Sequence, residues 1–90
     1  MKVRVKGLGW LATATGLYEI QLVNGESLRG VINNILGSNR DILHRVLKDG
    51  MISSEIIVLV NGIDSRLSGG ANTSLKDGDE ITLVPVVHGG

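Results

Sequence analysis

Few residues in this 90-residue chain could carry chemistry. There is no cysteine, which excludes disulfides, thiolate nucleophiles and thiolate metal sites. The histidines are His44 and His88, too few for a histidine metal centre. Asp77, Asp79 and Glu80 lie too close in sequence to act as an acid–base pair across a substrate, and suit a turn and a strand edge. Ser68-Gly69-Gly70 lacks the Lys-Ser/Thr and the helix that follow a phosphate-binding loop, so it reads as turn chemistry. The end of the chain remains. Gly89 and Gly90 have no Cβ. They can adopt any φ, pass a narrow channel and leave the acyl carbon of a terminal carboxylate open to a sulfur or amine nucleophile. A Gly-Gly pair alone is weak, since the chain holds 13 glycines. Its weight depends on the body that presents it.

That body is legible as a series of strands and helices. Lys2 to Lys6 alternates charged and β-branched residues, the period of a half-buried strand with Val3 and Val5 inward. Lys2, Arg4 and Lys6 then form an outward basic stripe, either a solvated face or a dock for an acidic partner, with Lys6 the partner-binding candidate. Gly7 to Gly16 reads as a hairpin connection longer than the common two-to-five-residue loop, and therefore as a mobile or functional feature. On it, Trp10 should either tuck over the sheet edge or meet a partner. Tyr18, Ile20 and Leu22 mark a second strand, which Asn24-Gly25 ends.

Ser27 can cap a helix whose apolar stripe is Leu28, Val31, Ile32, Ile35 and Leu36, with Gly37 placed to stop it. A second, shorter helix should follow. Asp41 would cap it, Ile42, Leu43, Val46 and Leu47 would form its apolar face, Lys48 would suit its C-terminus and Gly50 would end it. His44, beside Arg45, falls on its solvated side. Ile56 to Val60 is uninterruptedly apolar, the pattern of a central strand covered on both faces. A short edge strand is expected within Ile63 to Leu67, then a loop from Ser68 to Asp79. Glu80 to Val84 is the last strand, and Pro85 stands where pairing must end or sit at an edge. Of Leu83 and Val84, one should face the core and the other the surface. An exposed Val84, with Val86 and Val87, would offer apolar surface to a partner. His88 can change charge near neutral pH, beside the terminal carboxylate or a nucleotide phosphate. The order of elements gives an α+β fold: one mixed sheet of four to five strands, with a main helix and a second short helix on one face. We expect one domain over residues 1–86 and a flexible tail over 87–90.

Composition narrows the partners. Lys plus Arg is 9 and Asp plus Glu is 9, so no net field draws the chain to nucleic acid or an anionic membrane. Trp10 and Tyr18 are its only aromatics, too few for a base-stacking platform. No apolar run approaches the ~18 residues of a membrane helix, no signal-peptide core follows the basic start, and cysteine is absent. A cytoplasmic location is the expectation.

The order of strands and helices, the Asp77-Gly78-Asp79-Glu80 turn, the last strand Ile81 to Val87 and the terminal Gly89-Gly90 resemble the ubiquitin-like sulfur-carrier proteins. The segment from Leu67-Ser68-Gly69-Gly70 to Leu75-Lys76-Asp77-Gly78-Asp79-Glu80 is similar to that of the molybdopterin synthase small subunit and the archaeal small modifier proteins. The resemblance spans nearly the whole chain and implies a β-grasp fold. It also implies that a ubiquitin-activating-type enzyme adenylates the Gly90 carboxylate with ATP and that sulfur then replaces AMP. The resulting thiocarboxylate would donate sulfur to a molybdopterin precursor, with the synthase large subunit as partner, or to a tRNA base or an amino-acid precursor. Alternatively, the activated tail would be joined to lysines of other proteins. Either way the chain binds no cofactor of its own, since ATP and the sulfur donor belong to the activating partner. It acts as a cosubstrate or synthase subunit with no catalytic constellation. A different class of reading is a β-grasp binding module whose tail is idle. From Pro85 to Gly90 an extended chain spans roughly 15–20 Å, enough to thread into a closed ATP site.

Overall fold

The structure, a computed structural model, describes residues 1–86 (for Leu17, the backbone alone). The candidates Val87, His88, Gly89 and Gly90 therefore lie outside the described residues. Strand β1 (Lys2–Gly7) buries Val3 and Val5 and exposes Lys2, Arg4 and Lys6, as its alternation requires. It pairs antiparallel with β2 (Leu17–Gln21), where Ile20 is buried opposite Val3. The last strand, β7 (Glu80–Pro85), runs parallel to β1 on its other side. Strand β5 (Ile56–Val60) pairs antiparallel with β7, and the two-residue β6 (Ile63–Asp64) pairs antiparallel with β5. The sheet is mixed and five-stranded, in the order β2-β1-β7-β5-β6, so the strand that leads to the tail is its middle.

Helix α2 (Leu28–Leu36) crosses the inner face. The Ser27 hydroxyl accepts from the Gly30 N–H at 3.1 Å, which caps it. Leu28, Val31, Ile32 and Leu36 are each at most 1% exposed. Each contributes roughly 1.5–3 kcal/mol relative to an exposed position. The helix ends at Gly37 without a left-handed residue: φ is −59°, and an added Cβ would lie 2.6 Å from the Asn33 carbonyl oxygen. Close approach, rather than backbone freedom, selects glycine there.

Three expectations need correction. The Gly7–Gly16 connection is ordered: a 3-10 turn (Gly9–Leu11) runs into a short helix α1 (Ala12–Thr15), and Leu11 is fully buried. It closes an end of the core. The second helix, α3 (Arg40–Val46), starts one residue before Asp41, because the Asn39 side chain accepts from the Ile42 N–H at 3.4 Å. Asp41 sits in its first turn instead, where a negative charge suits the helix dipole. Leu47 and Lys48 are not helical. They form β3 (Leu47–Lys48), paired with β4 (Met51–Ile52) across a turn in which Asp49 and Gly50 have positive φ. This hairpin is held by Arg29 of α2, whose side chain donates to the Gly50 carbonyl oxygen and, at 2.9 Å, to Asn72.

No helix among the described residues is long and apolar enough to cross a membrane.

Candidate functional site: the root of the C-terminal tail

Two features meet where the chain leaves the sheet: the end of β7 and the outer face of the sheet. The path begins at the Asp77–Glu80 turn, which launches β7. The Lys2 N–H donates to Asp77 Oδ1 at 2.7 Å, and the Gly78 N–H donates to the Lys2 carbonyl oxygen at 2.7 Å. Asp79 accepts from the Lys76 N–H at 2.8 Å and from Asn61 Nδ2 at 2.9 Å, while the Glu80 N–H donates to Asn61 Oδ1 at 2.9 Å. These acidic residues serve the turn, as their close spacing predicts.

At its far end β7 reaches Pro85, the last strand residue, opposite Ile56. Pro85 thus stands at the end of a central strand, the first of the two places expected for it, and not at a sheet edge. The register explains how. The Val86 N–H points to β5 and donates to the Glu55 carbonyl oxygen at 2.8 Å. Successive backbone groups of a strand alternate in direction, so the Pro85 nitrogen faces the β1 side. There β1 has ended: its last pairing is Gly7 with Leu83, followed by a bond from the Leu8 N–H to the Leu83 oxygen at 2.9 Å. The missing proline donor therefore costs no ladder bond. The ring packs on Gly9, where an added Cβ would lie 3.0 Å from Pro85 Cγ.

Leu83 is buried, so Val84 lies on the outer face. Val84 is directly across from Ile57, and Thr82 stands between Lys6 on β1 and Leu59 on β5. Lys6, Val84, Ile57 and Leu59 are thus brought onto one surface. Lys6 is exposed, whereas Val84 and Val86 are half-buried, less open than expected. Ile57 and Leu59 correct the reading of Ile56–Val60 as covered on both faces. Ile56 and Val58 enter the core, while Ile57 and Leu59 stay half-exposed on the outer side. An all-apolar run hides which face is covered.

The basic stripe is partly neutralised. Lys2 pairs with Glu19 at 3.8 Å and Arg4 with Glu80 at 3.1 Å, all on the solvent side. Among the described residues Lys6, nearest the tail end, makes no ion pair. Among the described residues the outer face therefore presents one cation without an ion pair, Lys6, beside a small apolar field near the end of β7. Val86 also lines a groove of about 520 Å³ with Met51, Ile52, Ile56 and Ile57, and with the polar Ser53, Ser54 and Arg66. The carboxyl group of Asp64 is held below its ordinary value by hydrogen bonds from the Arg66 side chain and backbone. That pair lies on β6 and the turn after it, and stabilises the sheet edge.

Trp10 was expected either over the sheet edge or against a partner. It packs partly on the core, and the Arg45 guanidinium lies over its ring, 3.9 Å from the centroid. His44, on the same helix, stands exposed, as expected.

A mixed five-stranded sheet crossed by one main helix, with the parallel terminal strands at its centre, defines a ubiquitin-like β-grasp protein. The chain belongs to the ThiS family, which matches residues 5–90. It is 32% identical over 79 residues to the sulfur carrier protein CysO of Mycobacterium tuberculosis, covering 84% of this chain and 85% of that one. Two solved structures are similar along nearly their full lengths. One is the Amycolatopsis orientalis BexX/CysO complex, with 31% identity, TM-score 0.78 and coverage of 98% of this chain and 99% of that one. The other is the small archaeal modifier protein 1 of Methanosarcina acetivorans, with 30% identity, TM-score 0.79 and coverage of 99% and 96%. The β-grasp fold, and membership of a family of sulfur carriers and ubiquitin-like modifiers, stand as the resemblance implied.

Proposed function

We propose that this chain is a sulfur carrier whose reactive group is the Gly90 carboxylate. The observation that carries this reading is the placement of β7. The central strand ends at Pro85, five residues before Gly90 in sequence, beside the outer-face residues Lys6, Val84, Ile57 and Leu59. A carboxylate is a poor acyl donor because it has no leaving group. In the proposed reaction a carboxylate oxygen attacks the α-phosphorus of ATP, pyrophosphate leaves, and the acyl-adenylate forms. A donor's sulfur nucleophile then attacks the acyl carbon, and AMP departs. With sulfide as the donor the product is the thiocarboxylate; with a persulfide donor it is an acyl disulfide, whose S–S bond a thiol reduces, leaving the thiocarboxylate and a disulfide on the donor. ATP is bound by the activating partner. This chain supplies the acyl group, glycines slender enough to enter the partner's nucleotide site, and the outer face as the dock.

The likeness to CysO, as a sulfur carrier, supports this chemistry, and the likeness to a complex of CysO with BexX supports a partner-dependent role. For the acceptor we propose a molybdopterin precursor, with the synthase large subunit as second partner; the pattern from Leu67 to Glu80 supports it. A second reading is favoured by the likeness to an archaeal modifier: the same activated tail would be joined to lysine amines of other proteins.

The test is an intact mass after incubation with ATP, a sulfur donor and the cognate activating enzyme. One oxygen-for-sulfur exchange is expected, absent when Gly90 is deleted. No gain, with the enzyme shown to be competent on another carrier, would overturn the reading and make the outer sheet face the functional surface of a binding module. A ladder of lysine conjugates in cells, lost with Gly90, would favour the modifier role.

A further inference from the structure

Among the described residues, the backbone bond beyond Pro85 runs from the Val86 N–H to the Glu55 carbonyl oxygen at 2.8 Å. The residues around it come from distant parts of the chain and close a circuit. Glu55 is tied to the end of α3: its N–H donates to Ser53 Oγ at 3.0 Å, and the Ser53 N–H donates to the Val46 carbonyl oxygen at 2.8 Å. The Glu55 carboxylate lies 3.6 Å from the Arg45 guanidinium and 3.9 Å from Lys48 Nζ. Arg45 in turn stacks on Trp10 at 3.9 Å. Trp10 follows Gly9, which abuts the ring of Pro85. The sequence of contacts is Pro85, Gly9, Trp10, Arg45, Glu55 and back to Val86.

Resting on the sulfur-carrier reading, we propose that Trp10, Arg45 and Glu55 form a positioning collar. It fixes the direction in which the chain leaves Val86, and so the path along which Gly90 is offered to the activating enzyme. The Glu55 side chain is 39% exposed and that of Arg45 52%, and ion pairs this exposed add little to global stability. Weak contacts suffice, however, to bias the local geometry at Val86, whose N–H bonds to Glu55. A tail that samples many directions is competent only part of the time, and apparent affinity falls by that fraction. The collar neither touches the reacting atoms nor supplies a proton.

The test has two arms. In the first, hydrogen exchange of the Val86 amide is followed by NMR in Trp10→Leu and Glu55→Gln proteins. Glu55→Gln removes the ion pairs and keeps the backbone acceptor. Exchange at Val86 should quicken roughly tenfold, while the Thr82 and Val84 amides in the same strand stay unchanged, as local rather than global opening requires. In the second arm, ATP–pyrophosphate exchange by the cognate activating enzyme is measured with the carrier as varied substrate. KM for the carrier should rise about five- to tenfold with kcat nearly constant, because only the competent fraction has changed. Trp10→Phe, which keeps an aromatic face for Arg45, should restore both readouts.

Parallel loss of protection at Thr82, Val84 and Val86 would overturn the proposal and leave a merely structural role. So would an unchanged KM, or a Trp10→Phe protein no better than Trp10→Leu. If Trp10→Leu fails to fold, Glu55→Gln and Arg45→Gln decide the matter. An unaltered chain that supports no pyrophosphate exchange would defeat the carrier reading, and the delivery role of the collar with it. An active parent with indifferent variants would defeat the collar alone.

Discussion

The two ends of β7 are held in opposite ways. Its entry, the Asp77–Glu80 turn, is clasped by short polar side chains and backbone groups that bond several times over: Asp77 to β1, Asp79 to Lys76 and to Asn61, Asn61 back to Glu80. Among the described residues, its far end at Val86 has a backbone bond to Glu55, the packing of Pro85 on Gly9, and the stacked and paired side chains of Trp10, Arg45 and Glu55. Redundant bonding makes a rigid start for the strand. Support at the other end is long-range, from residues far apart in the chain.

The contrast breaks most completely if the strand itself fails. Leu83 is 1% exposed in the middle of β7, so Leu83→Ala should cost about 2–5 kcal/mol in denaturant unfolding and loosen both ends together. Asp79→Ala should act at the entry alone. Two hydrogen bonds to one carboxylate are lost, and at ~1 kcal/mol each the destabilisation should be about 2 kcal/mol. The Val86 amide and the KM for the activating enzyme should not change; a shift in either would mean that the two ends are coupled. Gly9→Ala probes the exit. Its φ of +55° and the nearby Pro85 ring make any side chain unwelcome, and about 1–2 kcal/mol of strain is expected from the left-handed backbone. The Val86 NMR signal should move while the Asp77–Glu80 turn stays put.

Smaller effects sharpen the picture. Glu80→Gln removes the exposed pair with Arg4, and should cost no more than about 1 kcal/mol, vanishing in 1 M salt. Away from both ends, Asp64 offers a pH check. Its carboxyl value is depressed in the folded state by Arg66, so the pair's contribution is fully present above the unfolded carboxylate value and is lost as pH falls through the folded one. An NMR titration should place Asp64 below ~3.9, the ordinary aspartate value, and Arg66→Gln should bring it back up. An Asp64 that titrates normally in the parent would deny the pair.

Sequence alone determined the features whose physics is local. Ser27 and the stripe from Leu28 to Leu36 specify a capped amphipathic helix whatever it packs against. The alternation of Lys2–Lys6 assigns an inside and an outside to β1. Asp77-Gly78-Asp79 closes its turn locally, with the Lys76 N–H donating to the Asp79 carboxylate. Other features were decided by contacts between residues far apart in the chain. Leu11 is buried because the connection around it folds onto the core, which a Gly- and Thr-rich stretch does not advertise. Lys48 is in a strand because the hairpin from Leu47 to Ile52 is tied to α2 by Arg29. Ile57 and Leu59 are surface residues because no second layer covers their side of β5, a fact invisible in a run of five apolar residues. The collar at Val86 joins residues 10, 45 and 55, which share a neighbourhood only in the folded chain. Periodicity, caps and turns act over a few residues and can be read in order. Which face is covered, and what stands at the root of the tail, are properties of three-dimensional proximity, which the chain acquires only by folding.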